Sequence, residues 1–195
     1  MIDLVPDKRP VIVAIAGPNG AGKTTFFHAH LREAGLRYVN ADEIGLELDL
    51  AGYDAAKVAD AVRRELVRQH QSFIFETVFS DPVGEKLAFL VDAVAKGYNV
   101  VLCFIGVSGP ETCEERVAMR VSQGGHDVSS DKLVGRFPRV MANLQAAIRS
   151  LPTVLIFDHE NLAVPFRKVA EFRNSQAVFR SIDVPRVFFS PRPNS

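Results

Sequence analysis

Gly17-Pro18-Asn19-Gly20-Ala21-Gly22-Lys23-Thr24-Thr25 is the stretch on which the reading of this chain turns. It fits the phosphate-cradling pattern Gly-x-x-x-x-Gly-Lys-[Ser/Thr] at every fixed position. The flanks agree with it. Val11-Ile12-Val13-Ala14-Ile15-Ala16 is short, apolar and rich in β-branched residues, as a strand covered on both faces should be. Thr24-Thr25-Phe26-Phe27 then predicts a helix whose first amides point back into the loop. Glycines let the backbone wrap an anion without Cβ clashes, and the helix N-terminus adds partial positive charge. Lys23 is placed to bridge β- and γ-phosphates, and the Thr24 hydroxyl to ligate Mg²⁺. A glycine-rich turn that binds nothing would need both glycines, the lysine and the hydroxyl to coincide by chance. The stretch from Gly17 to Thr25 therefore predicts a site for Mg²⁺ with ATP or GTP.

Composition narrows the class. A chain of 195 residues is most simply one domain over 1–195, large enough for a proper core. Hydrophobic residues make up 47%, and 23 basic side chains balance 23 acidic ones, which argues against disorder and against non-specific attraction to nucleic acid or membrane across the whole surface. Cys103 and Cys113 lack metal-like spacing and support no disulfide framework. Asp3, Asp7, Lys8 and Arg9 precede any apolar run, unlike a signal peptide, and no apolar run is long enough to span a bilayer. The expected location is the cytoplasm.

Along the chain, apolar runs alternate with segments of helical period, the signature of an α/β fold with a parallel sheet. Five strands are predicted: Val11–Ala16, Arg37–Asn40, Ser72–Glu76, Tyr98–Gly106 and Thr153–Phe157. Between them, Asp54–His70 carries Ala55, Val58, Ala59, Val62 and Leu66 on one face, with Arg63, Arg64 and Arg68 turned elsewhere. Asp81 is expected to cap a helix with Pro82 in its first turn and Gly97 at its end. Pro110 starts another helix. A loop at Gln123-Gly124-Gly125-His126-Asp127 leads to a segment from Asp131 to about Ser150, with Val134, Phe137, Met141, Leu144 and Ile148 as its apolar face and a kink or break at Pro138. Phe166–Phe172 and Gln176–Ser181 flank Asn174-Ser175 as a candidate β-hairpin, and the tail 190–195 reads as loose.

Ligands of open parallel sheets sit beyond the carboxyl ends of the strands. That rule gathers Asp42, Glu76 with Thr77, Ser108 and Asp158 beside the phosphate loop. Asp42 is a candidate general base for a hydroxyl attacking the γ-phosphate, and from spacing alone it serves equally as a helix N-cap. Glu76 ends an apolar run, so its carboxylate either faces a ligand or sits in a buried ion pair. Arg116 and Arg120 share one helix face, and Lys132, Arg136, Arg139 and Asn143 form a polar stripe on the next. Individually these are ordinary solvated cations. As a set joined by a glycine loop, they predict a helical lid over about 114–150 whose arginines close on phosphates. His126 in that loop is a weaker candidate for ligand contact.

Read in order, these motifs resemble a known family. Gly17–Thr25, Asn40-Ala41-Asp42-Glu43-Ile44, Phe75-Glu76-Thr77, Glu115-Arg116-Val117 through Arg120-Val121 to Gly124-Gly125-His126-Asp127-Val128, and Asn143-Leu144 look like the zeta-toxin family. They are most similar to its short branch, labelled predicted ABC-type ATPases or kinases. The resemblance runs from about Val11 to Asp158. It implies a three-layer P-loop kinase fold with a five-stranded parallel sheet and a helical lid, and transfer of phosphate to a hydroxyl of UDP-N-acetylglucosamine. It further implies Lys23 on phosphate, Asp42 as base, and Glu76 with Thr77, Arg116 and Arg139 toward the substrate. Arg120 and one of Arg136 or Arg139 would stabilise the transferring group. A small helical antitoxin is the implied partner. Two departures stand out: Val78 occupies the place of a family threonine, and the lid loop is rebuilt around Gly-Gly-His.

Three other readings compete for the same residues. An ABC-type ATPase uses a similar phosphate loop, but Ser122-Gln123-Gly124-Gly125 only faintly echoes the signature of such proteins. A GTPase switch lacks its Asn-Lys-x-Asp segment. A kinase for a different small-molecule acceptor fits the same residues.

Overall fold

The computed structural model describes residues 4–122 and 128–189. The Gly-Gly-His loop with His126 and the tail 190–195 lie outside the described residues. The first half of the chain forms β1 (Val11–Ala16), α1 (Lys23–His30), β2 (Arg37–Val39), α2 (Ala41–Leu48), α3 (Gly52–Arg68) and β3 (Phe73–Thr77). There follow α4 (Glu85–Ala95), β4 (Asn99–Gly106), α5 (Pro110–Ser122), α6 (Ser130–Ser150), β5 (Thr153–Asp158), β6 (Arg167–Arg173) and β7 (Gln176–Arg180).

The strands lie in the order β2-β3-β1-β4-β5-β6-β7. The first five are mutually parallel, as expected, but they are part of a mixed sheet of seven strands. The extra two are the hairpin: β6 runs antiparallel to β5, and β7 antiparallel to β6. Its turn residues Asn174 and Ser175 both take left-handed φ, 46° and 67°, which suits the right-handed twist of a tight hairpin.

Alternation along β1 shows why helices cover both faces. Ile12, Ala14 and Ala16 pack in one layer with Ala59 and Leu66 of α3, Leu90 of α4 and Leu144 of α6. Val11, Val13 and Ile15 pack in the other with Phe26 and Phe27 of α1 and Cys113 of α5. Each central strand is covered on both faces, so its sequence reads as continuously apolar rather than alternating.

Four local expectations are corrected. Arg63 does not turn away from the core face of α3: it is 4% exposed and continues the buried stripe of Ala55 and Ala59. Its long stem substitutes for an apolar residue there, and Asp60 takes its head group. Asp81 does not open α4, which begins at Glu85 after Gly84 in a left-handed conformation (φ 72°). Asp81 Oδ2 accepts instead from the Lys86 amide at 3.3 Å, tying down the first turn from outside it. On α6, Leu133 and Val140 are buried while Val134 is 49% exposed. The helix also runs unbroken through Pro138, which is exposed. The bond Pro138 cannot donate would go to Val134, on the same wet side, where water can take its place.

Candidate active site

The carboxyl ends of β1, β2 and β3 open into a cleft of about 680 Å³. The loop after β1 enters it under tight steric control. A Cβ on Gly17 would fall 2.1 Å from the Ile105 carbonyl oxygen, and Gly22, at φ 89°, lies against the His159 ring. Lys23 is 7% exposed and lines the cleft with Asn19 and Gly20. Its Nζ donates to the Pro18 carbonyl at 3.0 Å and stands 4.0 Å from Glu76 Oε1. Burial lowers its pKa, and the nearby Glu76 carboxylate opposes that shift. Thr25 is exposed on α1 and does not line the cleft.

Facing the loop is a network centred on Glu76. Its Oε2 accepts from the Tyr38 hydroxyl at 2.6 Å, from Thr24 Oγ1 at 2.9 Å and more distantly from Asn40 Nδ2 at 3.5 Å. Glu76 thus lines the cleft and has Lys23 as a basic neighbour. Tyr38 stacks on Phe27 with centroids 3.6 Å apart, which fixes the hydroxyl. Burial and the adjacent carboxylate push its pKa up, so the phenol remains a donor. Glu76 and Thr24 fit Mg²⁺. Their two hard oxygens, 2.9 Å apart beside the phosphate loop, are the donor chemistry this cation takes, and they would hold it together with a bound phosphate. Among the described residues, no group of three His, Cys, Asp or Glu side chains could hold a metal without such help.

Asp42 lies in the first turn of α2, exposed, and lines the cleft. The N-cap of that helix is Asn40, whose side chain accepts from the Asp42 amide at 2.9 Å. The capping alternative for Asp42 is thus overturned, and its carboxylate is left to the cleft. Asn40 is 5% exposed and also donates to the Tyr38 hydroxyl at 3.1 Å. Asn40→Ala should lower stability by about 1–2 kcal/mol, the cost of a lost cap. For a chain of this size that shifts Tm by roughly 2–8 °C, measurable in a thermal melt.

The lid cations divide. Arg120, Lys132 and Arg136 line the cleft, and Arg136 Nη1 reaches Asn19 Oδ1 at 3.5 Å, linking α6 to the phosphate loop. Arg116 instead donates to the His159 and Glu160 carbonyls at 2.7 and 3.0 Å. Arg139 donates to the Ser80 carbonyl at 3.1 Å and borders a smaller hollow of about 320 Å³. Thr77 lines both cavities. Ser108 and Asp158 line neither: the Ser108 amide bonds Glu160, and Asp158 pairs with Arg167 at 3.2 Å.

Several residues escaped the sequence reading. His159 Nδ1 lies 2.8 Å from the Ala21 carbonyl oxygen, and its ring stacks on Phe166 at 4.0 Å, supporting the phosphate loop from behind. Burial lowers its pKa, favouring the neutral ring. Its one signal was its place directly after the last parallel strand. Tyr38 and Asn40 sit inside a strand-to-helix junction that the motif already flagged. Tyr53 and Lys86 carried no signal at all.

Comparison with known proteins agrees with this architecture. A chain of the AvrRxo1-ORF1:AvrRxo1-ORF2 complex determined with sulphate ions superposes with a TM-score of 0.73 at 17% identity. The match covers 96% of this chain and 66% of that one, so this chain spans about two thirds of its length. A chain of the PezAT toxin-antitoxin system of Streptococcus pneumoniae gives 0.59 at 15% identity, covering 95% and 79%. An uncharacterized protein of Haemophilus influenzae is 27% identical over 126 residues, 62% of this chain and 88% of that protein. The zeta toxin family model matches residues 47–171, well over half of the sequence, with Glu76, Arg120 and Arg136 inside the match. The chain belongs to the zeta toxin family.

Proposed function

We propose that the chain is an ATP-dependent phosphotransferase of zeta-toxin type, acting on a hydroxyl of a small molecule. One observation carries the reading: Lys23 of the phosphate loop and the carboxylate of Asp42 line one cleft, with Arg120 and Arg136 of the lid helices on the same cavity. ATP as donor is supported by the fold likeness to a chain of the AvrRxo1-ORF1:-ORF2 complex determined with ATP, at a TM-score of 0.72.

The chain's own groups divide the work. The loop amides and Lys23 hold the triphosphate. Thr24 and Glu76 would hold Mg²⁺, which when bound offsets charge on the β- and γ-oxygens. Asp42 takes the proton of the acceptor hydroxyl as its oxygen attacks the γ-phosphorus and the bond to ADP breaks. Lys23, Arg120 and Arg136 stabilise charge on the transferring group. In this reading residues 1–195 act as one kinase domain, with α5 and α6 as its lid. Arg116 and Arg139, bonded to backbone in this state, turn inward only if the lid rearranges.

UDP-N-acetylglucosamine is the acceptor suggested by family membership, and a helical antitoxin the suggested partner, the latter supported by the likeness to a chain of the PezAT system. The test is incubation of the protein with γ-labelled ATP and a panel of sugar nucleotides and nucleosides. Label on one acceptor is the expected result. Release of free phosphate with no labelled acceptor would overturn the assignment in favour of an ATPase.

A further inference from the structure

A guanidinium on the core face of a helix is costly to bury, and Arg63 is 4% exposed on such a face, over the ring of Phe75 at 4.9 Å. Its Nη2 donates to Asp60 Oδ1, and the same oxygen accepts from Lys86 Nζ at 2.8 Å. One carboxylate is shared by two cations. Both Arg63 and Lys86 line the main cleft, and Lys86 also borders the smaller hollow.

Charge around the cleft points the same way. Lys23, Arg63, Lys86, Arg120, Lys132 and Arg136 line it, against the carboxylates of Asp42 and Glu76, although the whole chain has a net charge of zero. Four of these cations belong to the phosphate loop and the lid helices, where the donor lies in the proposed reaction. Arg63 and Lys86 come from α3 and α4, and the same cleft is also lined by Tyr53, Ala56, Thr77 and Val78. Asp60 balances only one of these two cations, so a positive charge remains here beyond those of the phosphate loop and the lid.

We infer that Arg63 and Lys86, pre-positioned by Asp60, are the receptor for an anionic group of the acceptor, a phosphate or a carboxylate on the molecule whose hydroxyl meets Asp42. The inference rests on the phosphotransferase reading for the word acceptor, but the site itself does not require transfer. Two hydrogen-bonding cations on a half-buried wall suit a compact anion, and the neutral side chains beside them suit the body that carries it.

The test uses the full chain saturated with Mg²⁺ and a non-hydrolysable ATP analogue, so that the phosphate loop is occupied. Inorganic phosphate and acetate are titrated separately, with binding read by calorimetry and by the rise in Tm. One anion should bind once per chain, and Lys86→Met should weaken it roughly tenfold, the usual loss for a charge-assisted hydrogen bond. Preference for phosphate identifies a phosphorylated acceptor, and preference for acetate a carboxylated one. Lys86→Met is the primary variant because Lys86 is 21% exposed at the start of α4, whereas Arg63→Met disturbs the core. No saturable anion binding to the loaded wild type, or equal binding in Lys86→Met, overturns the site. Anion binding without labelled acceptor in the transfer assay would keep the site and sink the phosphotransferase reading. Transfer to neutral acceptors with no anion site would do the reverse.

Discussion

Lys23→Met is expected to lower phosphotransfer by roughly 10³-fold, the upper end for deleting one preorganised charge-stabilising donor. Lys23 is 7% exposed, its Nζ held by the Pro18 carbonyl and facing Glu76 across 4.0 Å. In that half-dry setting an ammonium aimed at phosphate oxygens is worth more than in water, because little solvent must reorganise. Methionine retains most of the volume and removes the charge, so the buried position can stay filled. Glu76 loses a basic neighbour but keeps donors from Tyr38 and Thr24, so the fold should survive. Single-turnover transfer and a thermal melt separate the two effects. Undiminished transfer in a folded variant would remove the phosphate loop from the mechanism.

How far the sequence reveals this site depends on the range of the interaction. Phosphate-loop residues are legible because a local backbone path demands glycine at Gly17 and Gly22 and a hydroxyl at Thr24, all within nine positions. The central strands β1, β4 and β5 are legible because burial on both faces leaves nearly uninterrupted apolar runs. Glu76 is half legible. Its position after an apolar run demands an explanation, but its bonds to Tyr38 and Thr24 arise only because β3 pairs with both β1 and β2. Arg63 misleads outright, since a helical wheel assigns cations to water and cannot see Lys86 of α4, which tertiary folding brings to share Asp60 with it. Arg116 and Arg139 sit on the predicted polar faces, yet the carbonyls they bond belong to loops brought near by tertiary folding.

Asp42→Asn is the substitution that separates a general base from every structural role at that position. The α2 cap is supplied by Asn40 through the Asp42 amide, a bond the Asp42 side chain does not enter. The new asparagine therefore leaves the cap intact and retains the shape of the side chain. It gives up one negative charge in the first turn of a helix, a stability cost of about 0.3–1 kcal/mol. Nucleotide affinity should stay nearly unchanged, because the loop amides, Lys23 and Mg²⁺ supply it. Transfer to the acceptor should fall by roughly 10²–10⁴-fold, about 3–5 kcal/mol of barrier, as a positioned proton acceptor is lost. The measurement is acceptor phosphorylation at saturating ATP, with nucleotide binding followed separately on the same preparation. Transfer at the wild-type rate would remove Asp42 from the chemistry. Glu76 would then have to serve as base, against the three donors that already occupy its Oε2.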